Sequence, residues 1–199
     1  MRRQASIDEI VAEAWELSRS NGLGNFSMRE LGDRVGMRAQ SLYSYFASKL
    51  EIFDAMFLQG NEQLLETMRI ALDAMEDEGD PVATSVTIVD TFVRFCTSDP
   101  IRYQLLFQRT VPGFVPSEHS YAVAQEAYDL SVGPLRALGI DDPQLDLCTA
   151  VVAGLVAQQI SNDPGGDRWV RLTQQATSML LREFLPDVLS HTHSTRSTT

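Results

Sequence analysis

Between Arg38 and Ser44 the chain sets side chains of unusual hydrogen-bonding capacity close together. Arg38 offers a planar fork of donors, Gln40 an amide that donates and accepts, and Ser41, Tyr43 and Ser44 offer hydroxyls. These groups suit nucleic-acid recognition. A guanidinium matches the guanine edge, a long amide matches adenine, and hydroxyls meet phosphate oxygens. The same residues could also form an ordinary solvated helix face, so the elements that carry them must decide.

Ala39, Leu42 and Phe46 recur at helical spacing and predict a short helix over 39–46. A helix of that length is unstable alone. Its apolar residues must dock on what precedes it, which leaves Gln40, Ser41, Tyr43 and Ser44 facing outward. What precedes it is also helical. Ser27 and Glu30 have capping-box spacing, and Met28, Leu31 and Val35 form one apolar side. Gly36 ends that helix, being suited to positive φ after a helix terminus, and Met37-Arg38 make the turn. A first helix is predicted from Ser6, with Ile7, Ile10, Val11, Ala14 and Leu17 in period, ending at Asn21-Gly22. Two short helices joined by a tight glycine turn read as a helix-turn-helix.

The remainder is predicted to be helical with short connectors and shows no strand alternation. Ser48 caps a long fourth helix from Lys49 to about Glu78, with a bend at Gly60. A fifth covers 82–97, and Asp99-Pro100 opens a sixth to Gln108. Residues 111–116 read as loop. The seventh, eighth and ninth helices cover about 118–138, 143–161 and 167–185. The expectation is an all-α fold of about nine helices. Residues 1–48 form a three-helix DNA-binding domain and 49–189 a larger helical ligand-binding and dimerisation domain. Residues 190–199 form a disordered Ser/Thr/His tail.

Charge distribution bears on the same question. The chain carries −11 overall with a pI near 4.6. Residues 1–50 hold seven basic and six acidic side chains, a sum of +1, so the rest carries −12. An acidic body repelled by phosphate helps aim the N-terminal end at a duplex. Lys49 is the sole lysine. Cys96 and Cys148 read as reduced core thiols. No apolar run is long enough for a membrane span, and the first residues lack the apolar stretch of a signal peptide. A cytoplasmic location is expected. Glycine phosphate loops, nucleophile elbows and Glu-x-x-His pairs are missing from the sequence, so no enzymatic role, cofactor or metal is expected.

The stretch 26–57 resembles the DNA-binding signature of the tetracycline-repressor (TetR) family. The residues that carry the resemblance are Phe26-Ser27-Met28-Arg29-Glu30-Leu31-Gly32, Val35-Gly36-Met37 and Ser41-Leu42-Tyr43-Ser44-Tyr45-Phe46-Ala47-Ser48-Lys49. The resemblance implies that Arg38, Gln40 and Ser41 reach bases or phosphates, and that Tyr43 meets the backbone or a thymine methyl. It implies that Lys49 contacts a phosphate, and that Ser27 and Arg29 lie where the second helix crosses the backbone. Tyr45 stands where the family has His or Tyr, and either meets DNA or packs beneath the helix. Arg2 and Arg3 form either a minor-groove arm or a frayed terminus. Three positions depart from the pattern: Arg38 replaces a usual Ser or Thr cap, Gln40 a small residue, and Gly32 a frequent alanine. The glycine should weaken its helix by about 1 kcal/mol unless something compensates.

For the larger part, the resemblance implies a homodimer on an inverted-repeat operator, responsive to a small, mostly apolar effector. Helices eight and nine would pair across the dimer through Leu147, Val151, Leu155, Val170, Ala176, Met179 and Leu180. Recognition of two half-sites ~34–36 Å apart also calls for two copies. Candidate effector contacts are Phe92, Phe95, Cys96, Tyr103, Phe107, Tyr121, Tyr128 and Gln158. An aromatic stripe at this spacing can equally be core. Repression is the family's usual mode.

Overall fold

The computed structural model describes residues 2–75 and 80–185, with side chains from residue 7 onward. The tail from 190 and the side chains of Arg2 and Arg3 lie outside the described residues. Among the described residues there are nine α-helices, a 3-10 turn and no strand. The helices are α1 Arg2–Asn21, α2 Met28–Arg34, α3 Ala39–Leu42, α4 Lys49–Asp73, α5 Pro81–Ser98, α6 Pro100–Phe107, α7 Glu118–Ala137, α8 Asp142–Asn162 and α9 Thr173–Phe184. The all-helical expectation holds, with shifted ends. Helix α1 begins at Arg2, so Ser6, the expected start, lies inside it. No described helix is long and apolar enough to cross a membrane.

The chain divides into two compact units: Met1–Gln63 with Asp99–Gln125, and Leu64–Ser98 with Glu126–Thr199. Helices α4 and α7 each contribute residues to both.

The core of the first unit joins Ile10, Ala14 and Trp15 of α1 to Leu31, Leu42 and Phe46, and to Ile52, Phe53, Met56 and Phe57 of α4. Trp15 Nε1 donates to Gln59 Oε1 at 2.9 Å, tying α1 to α4. Leu105 of α6 closes the core. Asp99 caps α6, accepting from the Ile101 and Arg102 amides, and Arg19 of α1 pairs with its carboxylate at 2.7 Å. Helix α4 runs uninterrupted through Gly60. That glycine provides room: an added Cβ would sit 3.0 Å from Leu106 Cδ2. Residues 111–116 are loop as read, but Phe114 is not idle. Its ring packs edge-on against Phe53 and Phe57, with centroids 6.3 and 5.9 Å away.

In the second unit α5 packs on α8 and α9, and Val132, Leu135, Ile140, Leu145 and Leu181 form a buried core. Helix α9 was expected from Asp167 but starts at Thr173, after a 3-10 turn at Val170–Leu172. The reason is Gln159, buried on α8. Its carbonyl accepts from the Trp169 and Val170 amides at 2.8 and 3.2 Å, while its NH2 donates to the Asp163 carbonyl. Asp163 in turn accepts from the Arg168 amide. Backbone donors satisfied this way have no need of a helix.

Candidate nucleic-acid interface

The second helix is set by its ends. Ser27 and Glu30 form a full capping box: Glu30 N donates to Ser27 Oγ at 3.1 Å, and Ser27 N donates to the Glu30 carboxylate at 2.9 Å. The Ser27 hydroxyl, expected at the DNA backbone, is thus also engaged within its own helix. At the other end Gly36 takes φ +66°, and Met37 N donates to Gly32 O at 2.8 Å. That six-residue closure is the Schellman arrangement, which turns the chain sharply into α3.

Gly32 explains one departure from the resembled pattern. It is buried, and a Cβ there would lie 2.7 Å from the Met37 carbonyl oxygen and 3.3 Å from the Ala39 amide nitrogen. Both are backbone atoms, which cannot rotate aside. The glycine's cost in helix propensity is offset by a close α2–α3 approach that alanine would prevent.

Helix α3 is shorter than expected, Ala39–Leu42 rather than 39–46. Ser44 Oγ donates to Ser41 O at 2.7 Å, and the Ser44 and Tyr45 amides bond three residues back, so the last turn tightens. Serine hydroxyls compete in this way for helix carbonyls. Leu42 is fully buried and Phe46 nearly so, which pins the element despite its length. Arg38 occupies the N-cap position without a side-chain capping bond. Its guanidinium is not consumed by the helix.

Arg29, Arg38, Gln40, Ser41 and Tyr43 are all exposed, Tyr43 by 53%. Tyr45 is half-buried against the core. Among the described residues no ion pair involves Arg29, Arg34 or Arg38, whereas Arg19, Arg69, Arg94 and Arg136 each face a carboxylate. The corner therefore presents guanidinium, amide and hydroxyl groups with their hydrogen-bonding capacity largely unspent.

Lys49 differs from its neighbours. It is half-buried, and its Nζ donates to the carbonyls of Gly24 and Phe26, each at 2.5 Å. The ammonium also lies over the Phe26 and Phe53 rings, 4.4 and 5.6 Å from their centroids. Burial lowers its pKa below the ordinary lysine value, with Glu30 acting in the opposite sense.

The expected effector residues divide between the units. In the first, Tyr103 is buried with its ring 5.8 Å from that of Phe107, while Phe107 and Tyr121 are exposed. In the second, Phe95 and Cys96 are buried, Phe92 is half-buried, Tyr128 is exposed beneath Arg136, and Gln158 is exposed. The buried glutamine is its neighbour Gln159, which sequence reasoning missed because adjacent glutamines carry no mark of which one faces inward. Of the expected dimer residues, Leu147 and Met179 are exposed, Val151, Leu155, Ala176 and Leu180 half-buried, and Val170 buried within the chain. Among the described residues no group of three or more His, Cys, Asp or Glu could hold a metal ion.

Residues 10–56 match the family described as "Bacterial regulatory proteins, tetR family". The HTH-type transcriptional activator FasR of Mycolicibacterium smegmatis is 28% identical over 100 residues, 50% of this chain. The match spans 44% of that relative's length. Among solved structures, a protein of unknown function from Rhodococcus sp. RHA1 superposes with a TM-score of 0.73 at 16% identity, covering 89% of this chain and 94% of the other. The TetR family transcriptional regulator PfmR from Thermus thermophilus gives 0.61 at 17% identity, covering 87% and 97%. At such identities these two likenesses speak to the fold.

Proposed function

We propose, from the match of residues 10–56 to the tetR family of bacterial regulatory proteins, that the chain is a sequence-specific, non-enzymatic DNA-binding regulator of that family. The observation that carries the reading is the α3 corner. Arg38, Gln40, Ser41 and Tyr43 stand outward on an element pinned by buried Leu42 and Phe46. Arg38 and Gln40 are the base readers. Ser41, Tyr43 and Arg29 fix register through phosphates.

The regulator works in the cytoplasm as a homodimer on an inverted repeat. Support comes from α8 and α9, where Leu147 and Met179 are 48% and 60% exposed and a Cβ at Gly154 would meet nothing within 4 Å. Exposed apolar side chains and an uncrowded glycine, with polar Gln174, Gln175 and Arg182 beside Met179, suit close approach of a second copy. A small apolar effector, met by Phe92, Phe95 and Cys96 of α5, shifts the population toward a conformer whose recognition helices no longer fit the groove spacing. Operator occupancy in the absence of the effector represses. The name of the Mycolicibacterium relative favours activation as the second reading.

The test is a reporter behind the bound operator, with wild type and Tyr43→Ala. Repression that Tyr43→Ala relieves while remaining folded supports the proposal. Lower reporter output on deleting the protein selects activation. No dependence on the protein in either direction refutes the regulatory role.

A further inference from the structure

Lys49 occupies the first turn of α4, the least favourable place on a helix for a cation, because the unpaired amides there already carry partial positive charge. Its position therefore needs a compensating partner. A bound phosphate would be one, and an internal acceptor would be another. Two of its three N–H groups are spent on the Gly24 and Phe26 carbonyls, and the rings of Phe26 and Phe53 cover the ammonium. Those carbonyls lie in the connector between α1 and α2, immediately before the Ser27 cap. Helix α2 has seven residues and α3 four, so neither holds its own place.

We infer that Lys49 is a positioning residue: its ammonium clasps the α1–α2 connector to the start of α4 and so sets the pose of the DNA-reading corner, rather than binding a phosphate. This rests on the DNA-binding reading for its effect on affinity, but not for the clasp itself. Without the clasp, the binding-competent pose becomes a fraction of the population, and the apparent affinity falls by that fraction. The number of phosphates neutralised does not change.

Two readouts separate the roles. Lysine-selective 15N labelling leaves one ammonium signal, since Lys49 is the only lysine. In DNA-free wild type a slowly exchanging signal, shifted by the aromatic rings, is expected. A fast-exchanging, unshifted ammonium that becomes protected only on adding duplex overturns the inference. The second readout is the salt dependence of operator binding in Lys49→Met. A clasp predicts about tenfold or greater weakening, in line with charged hydrogen bonds, with an unchanged slope. A phosphate ligand predicts a slope smaller by ~1.8 for the dimer, ~0.9 per lysine, and that result overturns the inference even if the ammonium is protected. Wild-type affinity in Lys49→Met also overturns it. If Lys49→Met does not fold, the ammonium spectrum decides. If wild type binds no sequence specifically, the DNA-binding reading fails, and the spectrum still judges the clasp.

Discussion

Two exposed surfaces of this chain contrast. At the α3 corner the exposed residues include Arg38, Gln40, Ser41 and Tyr43, side chains with directional hydrogen-bonding capacity on a scaffold anchored by buried Leu42 and Phe46. On α8 and α9 the exposed residues include Leu147, Gly154 and Met179, which have shape but little direction, with Gln174, Gln175 and Arg182 beside Met179. The first surface can discriminate among partners by donor and acceptor pattern. The apolar residues of the second reward close packing, and suit a partner of fixed shape such as another copy. A two-half-site reader needs both kinds: one surface to read, the other to set the distance between readings.

The sharpest way to break this division is to put charge on the exposed apolar residues of α8 and α9. Leu147→Glu with Met179→Glu should yield monomer by sedimentation and weaken operator binding by roughly 10²–10⁴-fold, the usual gain from linking two modules. A dimer with unchanged affinity would place the subunit contact elsewhere. Next in size is Gly32→Ala. The added methyl must push Met37 and Ala39 backbone aside, and overpacking of this kind costs about 1–3 kcal/mol. Urea unfolding should show that loss, and operator affinity should fall at temperatures where the variant is folded, because α3 is displaced. Wild-type stability would mean that the turn opens freely. The smallest effect is expected from Gln40→Ala. Total affinity changes modestly, but preference at one position per half-site relaxes by about 1–3 kcal/mol, read from binding to single-base operator variants. Unchanged preference removes Gln40 from the base-reading set.

The corner was largely legible because its signals are local. Ser27 and Glu30 lie one turn apart, Gly36 stands just past the helix it ends, and Leu42 and Phe46 are in period. What sequence could not show depends on partners distant along the chain. Gly32 reads as a weak helix former until the Met37 carbonyl is placed beside it. Lys49 reads as an outward cation until its partners 25 and 23 residues earlier are known. The late start of α9 follows from Gln159 reaching Trp169 and Val170. Phe114 was hidden in a proline-flanked loop, although a bulky aromatic held in a stiff loop was a usable sign of docking. The effector residues were the least legible, since aromatic spacing on α5 and α7 serves core and pocket equally.

The claim on which the rest depends is that the α3 corner reads DNA sequence as a two-fold pair. Selection of bound duplexes from a random pool by the purified, folded protein tests it directly. Enrichment of an inverted repeat with half-site centres about one helical turn or a multiple apart is the predicted result. Recovery of the pool unenriched would contradict it, leaving the exposed groups of α3 as a solvated face.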